Sequence, residues 1–107
     1  MISKQDILNE LEPKIVKFKE GILNGGPHYV IVFKNGYGAS IIQNPYSYGG
    51  EQELMEIALL EILYIVDDNI EYRLIYDKNR FTDVIGWLDD NEIIDCLKYI
   101  ARKRKRA

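Results

Sequence analysis

The sequence predicts a two-layer α+β domain: about four antiparallel strands in two hairpins, flanked by an N-terminal and a C-terminal helix. Three observations lead there. The stretch Tyr29–Gly50 places two short apolar runs on either side of Asn35-Gly36-Tyr37-Gly38. Ile70, Tyr72, Leu74 and Tyr76 alternate against Glu71 and Arg73 with a period of two, directly after the turn-forming Asp67-Asp68-Asn69. Asp89 precedes Glu92 by three residues, and Ile93, Leu97 and Ile100 follow at helical spacing.

Taken in order, Ser3 with Asp6 reads as a helix start. Ile7, Leu11, Ile15, Phe18 and Ile22 recur at spacings of four and three, predicting an amphipathic helical segment kinked or divided at Pro13. Asn24-Gly25-Gly26-Pro27 ends it, and no regular element is expected through those four residues. Tyr29, Ile31 and Phe33 then share one strand face and Val30 and Val32 the other, the pattern of a strand covered on both sides. Asn35-Gly36 is a hairpin signal because both residue types tolerate positive φ. Ala39–Ile42 forms the return strand, with small residues at 38–40 that leave room for a helix or for the ring of Tyr37.

Residues 51–60 fit two readings. Gln52–Glu56 favours helix by propensity, whereas Ile57, Leu59, Leu63 and Ile65 line one face of a strand. A long strand from about Leu54, paired with Ile70–Tyr76, accounts for more of the pattern. Phe81, Val84, Ile85, Trp87 and Leu88 make an apolar patch too short for its own helix. The last helix has an acidic first turn and a basic end, the order that the peptide dipoles favour. Val30, Val32 and Ile42 leave the reverse face of a four-stranded sheet apolar, which calls for a further helix or a second copy in a homodimer.

With 107 residues, 47% hydrophobic and 29% charged, the chain has the makeup of one folded domain. Residues 1–101 are read as that domain and 102–107 as a flexible basic tail. A single cysteine, Cys96, cannot form an internal disulfide and fits a reducing cytoplasm. No basic-then-apolar leader is evident, and the apolar stretch 54–66 is broken by Glu56 and Glu61, so no membrane association is expected. Five of the fourteen basic residues lie in Arg102-Lys103-Arg104-Lys105-Arg106, which leaves a body of about −8. Such a body repels polynucleotides over most of its surface, and only the tail attracts them.

The inventory for catalysis is thin. His28 is the only histidine, at a strand entrance; Cys96 has no neighbouring histidine in sequence; Asp67-Asp68 and Asp89-Asp90 sit where a turn and a helix start account for them. Neither Asp67-Asp68 nor Asp89-Asp90 matches the spacing of a calcium loop, and Asp83 could meet Asp89 or Asp90 around a metal only through folding. The glycines fit neither a phosphate loop nor a dinucleotide fingerprint. No catalytic residue, metal or cofactor is assigned. The partner-binding candidates are Tyr37, Tyr46, Tyr48 and Asn35, because tyrosine presents a ring and a hydroxyl at low entropic cost. Gly36, Gly38, Gly49 and Gly50 are read as fixing their directions. Arg102, Lys103, Arg104, Lys105 and Arg106 are the candidates for nucleic-acid contact.

Several motifs occur together: Phe33–Ser40 (FKNGYGAS), Tyr48-Gly49-Gly50, the apolar Glu56–Leu60, and Asp83–Leu88 (DVIGWL) before an acidic-start helix. In this order, over residues 29–101, the chain resembles a family of small proteins carried by phages and prophages of Gram-positive bacteria. The N-terminal segment and the basic tail lie outside that pattern. The family carries no settled activity, and the resemblance implies only that, like other phage accessory proteins of this size, the chain binds a host macromolecule. With the thin catalytic inventory, the expectation is a non-enzymatic protein in the bacterial cytoplasm that binds a host protein or ribonucleoprotein. Inhibition of a defence system such as a CRISPR nuclease falls within that description. The alternative is nucleic-acid binding through the basic tail.

Overall fold

Ser3 opens the first helix as its signature predicts, its Oγ accepting from Asp6 N at 3.1 Å, but the helix stops at Leu11. The computed structural model describes residues 1–105. Helix α1 is Lys4–Leu11; a short 3₁₀ turn, Glu12–Lys14, carries Pro13 and leads into strand β1, Ile15–Leu23. The long N-terminal helical segment is therefore corrected to a short helix and a strand. Pro13 cannot continue the hydrogen-bond ladder of α1. Beyond it, Phe18 and Ile22 are four positions apart, an even spacing that shares a strand face as readily as a helical one. Pairing with the next strand decides between the two.

That next strand, β2, spans Gly26–Phe33, and Leu23 pairs with Gly26 across a two-residue turn. Both turn residues have positive φ, Asn24 at 51° and Gly25 at 84°. This is the backbone of a tight hairpin whose twist matches its strands, so a regular element does run through Gly26-Pro27, against expectation. Strand β3 (Tyr37–Ile42) follows, then a 3₁₀ turn at Gly50–Gln52 and the long β4 (Met55–Val66). The ambiguous region thus resolves to one helical turn and a strand. Strand β5 (Asn69–Leu74), β6 (Ile85–Leu88) and α2 (Asp90–Ala101) are the remaining elements among the described residues.

The sheet has six antiparallel strands, not about four: β1-β2-β3-β4-β5 in order, with β6 on β4. The two additional strands are β1, read as helix, and β6, read as an apolar patch. Tyr29, Ile31, Phe33, Ala39, Ile41, Ile57 and Leu59 form the face covered by Ile7 and Leu11 of α1 and by Ile93, Leu97 and Ile100 of α2. Burying each large side chain of this set contributes about 1.5–3 kcal/mol. Asp89 and Glu92 form the reciprocal cap of α2, at 2.9 and 3.1 Å.

The reverse face is covered from within the chain. Val30 and Val32 are buried against Leu60 and Ile62, with Ile70 and Tyr72 packed beside them. Leu60 and Ile62 reach this face by the ordinary alternation of β4, which a register shift between Ile62 and Tyr64 then interrupts. The extra residue reverses the alternation of β4, so Ile57 and Leu59 face the helices while Ile65 pairs with Ile70 on the other side, not on one face with them. The sheet also curls: Lys17 Nζ reaches Asp67 O and Asp68 Oδ1 at 3.3 and 3.2 Å, and Lys19 Nζ reaches Asp68 O at 3.0 Å. The apolar reverse face therefore gives no ground for a second copy. Among the described residues, no helix is long and apolar enough to cross a membrane.

Asp77 pins the end of the sheet to α2. Its Oδ1 accepts from the backbone N–H groups of Asn79, Arg80 and Phe81 at 3.1, 2.9 and 2.8 Å. Its Oδ2 accepts from Tyr99 Oη at 2.6 Å and Lys103 Nζ at 3.1 Å. The paired side chains are 13% exposed at Asp77 and 19% at Lys103. Burial by itself raises the pKa of Asp77, but the donors from Tyr99, the Arg80 and Phe81 amides, and Lys103 outweigh it and hold the carboxyl well below the ordinary range. A carboxylate with a depressed folded-state pKa binds protons more readily when unfolded, so its contribution is present above about pH 4 and is lost as pH falls below that. Thermal unfolding of Asp77→Asn is predicted to show a loss of about 2–3 kcal/mol at pH 7, and a flatter stability profile than wild type on acidification. Equal stability of the two proteins at pH 7 would contradict this role.

Candidate functional site

The hairpin turn between β2 and β3 is Lys34-Asn35-Gly36, and only Gly36, at φ 86°, takes the left-handed conformation. The turn is thus the three-residue kind with a glycine at its bulge position. Asn35 keeps an ordinary φ, and its side chain is engaged inside the chain. Its Nδ2 donates to Ile100 O at 2.8 Å and Lys103 O at 3.2 Å, satisfying carbonyls at the end of α2. Its Oδ1 accepts from Tyr37 N at 3.0 Å. The ring of Tyr37 is half-buried, with Lys103 Nζ 5.3 Å above it. Gly38 permits a close approach, since a Cβ there would stand 2.5 Å from Ile31 O and 2.8 Å from Ile62 Cδ1.

Tyr46 and Tyr48 lie beyond the opposite end of β3, on the order of 17–20 Å away for a strand of this length. The structure therefore does not bring the three tyrosines onto one surface. It joins Tyr48 instead to Trp87, a residue the sequence placed only in an apolar patch. Tyr46 is 83% exposed, Tyr48 61% and Trp87 55%. Tyr48 and Trp87 line a shallow hollow of about 260 Å³ with Pro45, Gly49, Glu51 and Gln52.

This surface is built on a stitched loop. Asn44 is the one buried polar residue among those described. Its Oδ1 accepts from Tyr46 N at 2.8 Å, its Nδ2 donates to Leu23 O at 3.3 Å, and its backbone N–H donates to Ser47 Oγ at 3.0 Å. Tyr48 N donates to Glu56 Oε1 at 3.1 Å, Leu54 N to Gly49 O at 3.0 Å, and Trp87 N to Tyr48 O at 3.1 Å. Gly49 supplies a positive φ of 89°, and Gly50 leaves space for the Asn44 carbonyl, which a Cβ would overlap.

Trp87 owes its outward direction to a bulge. Between the pairs Met55–Leu88 and Ile57–Ile85, β6 has one residue more than β4, and Trp87 sits there at φ 62°. Bulges re-aim side chains, and a bulky residue in the left-handed region is a rare and strained arrangement. A signal for it was present in Gly86, whose missing side chain makes room for Tyr48, next to the only tryptophan.

Of the basic candidates, Arg102, Arg104 and Lys105 are exposed, while Lys103 is held by Asp77; Arg106 lies outside the described residues. His28 Nε2 lies 2.9 Å from Ser40 Oγ, and burial lowers its pKa. Cys96 is buried, which raises the pKa of its thiol. Among the described residues, no group of three or more His, Cys, Asp or Glu is placed to hold a metal. Compared with family models, curated proteins and solved structures, the chain matches none.

Trp87 is the sole tryptophan, so its fluorescence reports on the hollow directly. Gly86→Ala is predicted to push the loop off β6, shift the emission and quencher access of Trp87, and lower stability by about 1–3 kcal/mol. A spectrum and unfolding curve identical to wild type would contradict the packing of Gly86 against Tyr48.

Proposed function

We propose that this chain is a non-enzymatic accessory binding protein of the phage type, whose aromatic end docks on a host protein and occludes it. The observation that carries this reading is Trp87, an exposed tryptophan held in a left-handed bulge beside the exposed ring of Tyr48. Strain of that kind is maintained where the surrounding structure over-determines it, and it clusters at sites of recognition. Tyrosine and tryptophan are the residues most enriched where binding energy concentrates, and a fixed backbone reduces the entropy lost on association.

The charge around the hollow favours one kind of partner. Glu51 lines it, and the Glu56 carboxylate accepts from the backbone N–H of Tyr48. Aromatic faces beside carboxylates attract cationic groups, lysine and arginine above all. A host protein with a basic surface, such as one that otherwise holds nucleic acid, suits both this hollow and the acidic body of the chain. The motif resemblance directs the search to bacterial defence nucleases, CRISPR effectors included, in the host cytoplasm.

The test uses the full-length protein to capture partners from host lysate, followed by titration against the captured protein. The triple variant Tyr46→Ala, Tyr48→Ala, Trp87→Ala is predicted to bind at least thirty-fold more weakly, about 2 kcal/mol, while keeping the circular dichroism of wild type. Tyr37→Ala, which changes the other end of β3, should bind as wild type does. Undiminished capture by the folded triple variant would reject the assignment.

A further inference from the structure

We propose a second site: a cleft at the C-terminal end of α2 that binds the phosphate groups of a nucleotide or of a short stretch of polynucleotide. It is independent of the aromatic surface. A hollow of about 570 Å³ opens between the loop at Asn79-Arg80 and the outer side of α2. Asp95, Lys98, Tyr99 and Arg102 recur at spacings of three and four and so form one stripe along the helix. Lys103 and Arg104 extend that wall. The lining holds five cations against one carboxylate, on a chain whose body is otherwise acidic.

The helix dipole accounts for cations at the last turn of α2. It does not account for Arg80, which arrives from a different loop. Asp77 folds that loop by accepting from Arg80 N. The Arg80 guanidinium then lies 5.0 Å from the centre of the Tyr99 ring, and its Nη1 donates to Asp95 O at 3.4 Å. Lys103 and Lys98 are neutralised by Asp77 and Glu10. Arg80, Arg102 and Arg104 form no ion pair among the described residues. Three unneutralised guanidinium groups around one hollow match the planar, two-pronged recognition of phosphate oxygens.

The size of the hollow falls in the range of small-ligand sites and exceeds what one phosphate fills. The Tyr99 ring is already engaged by Arg80 and Lys103, 5.0 and 5.4 Å from its centre, and by Phe81 at 5.9 Å, and is not assigned to a base. Recognition therefore runs through phosphates and tolerates any base. The acidic body limits a polynucleotide to a short footprint at this cleft.

Fluorescence anisotropy of a labelled twelve-residue oligothymidylate, with ATP and pyrophosphate as competitors, tests the proposal on the full-length protein. Binding is expected at 50 mM NaCl and should weaken on the order of twenty-fold at 200 mM, as about three phosphate contacts require. Arg80→Ala should weaken binding at least tenfold, and Asp95→Asn should tighten it a few-fold, both with wild-type circular dichroism. Displacement by ATP identifies a free nucleotide as a sufficient ligand; binding of the oligonucleotide without such displacement identifies a polynucleotide. Absence of binding to every probe overturns the proposal. So does binding that Arg80→Ala and Asp95→Asn leave unchanged and only deletion of residues 102–107 removes, since the tail alone would then be responsible.

Discussion

The carboxylate of Asp77 gathers more of this structure than any other single group. It ends the excursion after β5 by accepting three backbone N–H groups, and with its second oxygen it takes the hydroxyl of Tyr99 and the ammonium of Lys103. Through Lys103, which lies over Tyr37, and through Asn35, which holds the carbonyls of Ile100 and Lys103, the last turn of α2 is fastened to the β2–β3 hairpin. A helix packed on a sheet by apolar contacts can slide and rock. These directional bonds fix where it ends. The same carboxylate sets the loop that carries Arg80, so the walls of the basic cleft inherit their spacing from it.

A second polar node does comparable work at the far end of β3. Asn44 ties the loop from Pro45 to Leu54 back to the β1–β2 hairpin through Leu23 O, and turns that loop through Tyr46 N. The outcome is an arrangement in which aromatic rings face water while the backbone beneath them is bonded. Exposed rings on a mobile loop collapse onto the nearest apolar surface; rings on a bonded loop cannot. Trp87 departs most from local preference, with a bulky side chain at positive φ, and it stands within this surface. The two nodes thus separate two surfaces of different chemistry, one aromatic with carboxylates at its edge and one rich in guanidinium groups.

Much of the fold was legible in particular residues. Asn35-Gly36 between apolar runs marked one hairpin, Asp67-Asp68 another, and the Asp89–Glu92 pair located the start of α2. The N-terminal strand was not legible, because Ile15, Phe18 and Ile22 satisfy a helical spacing while Phe18 and Ile22 also satisfy that of a strand. Only the pairing of β1 with β2 settles it. Asn24-Gly25 carried a stronger turn signal than was read from it, masked by the following Gly26-Pro27. Bulges in β4 and β6 changed the alternation at a single residue, a shift that periodicity over a window averages away. The site was legible in part: Tyr46 and Tyr48 in their turn-rich loop, and the basic run after Ala101. Trp87 and Arg80 were hidden, because what gives each of them meaning is a neighbour far away in sequence.

Preorganisation of the aromatic surface is the claim on which the account stands, and amide hydrogen exchange across residues 43–54 and 85–88 addresses it most directly. The bonds at Tyr46, Ser47, Tyr48, Leu54 and Trp87 predict exchange at least ~100-fold slower than in an unstructured chain, despite the exposure of the rings. Exchange of those amides at unstructured rates, with the sheet core still protected, would mean that the loop is not held and that the surface does not exist before a partner arrives.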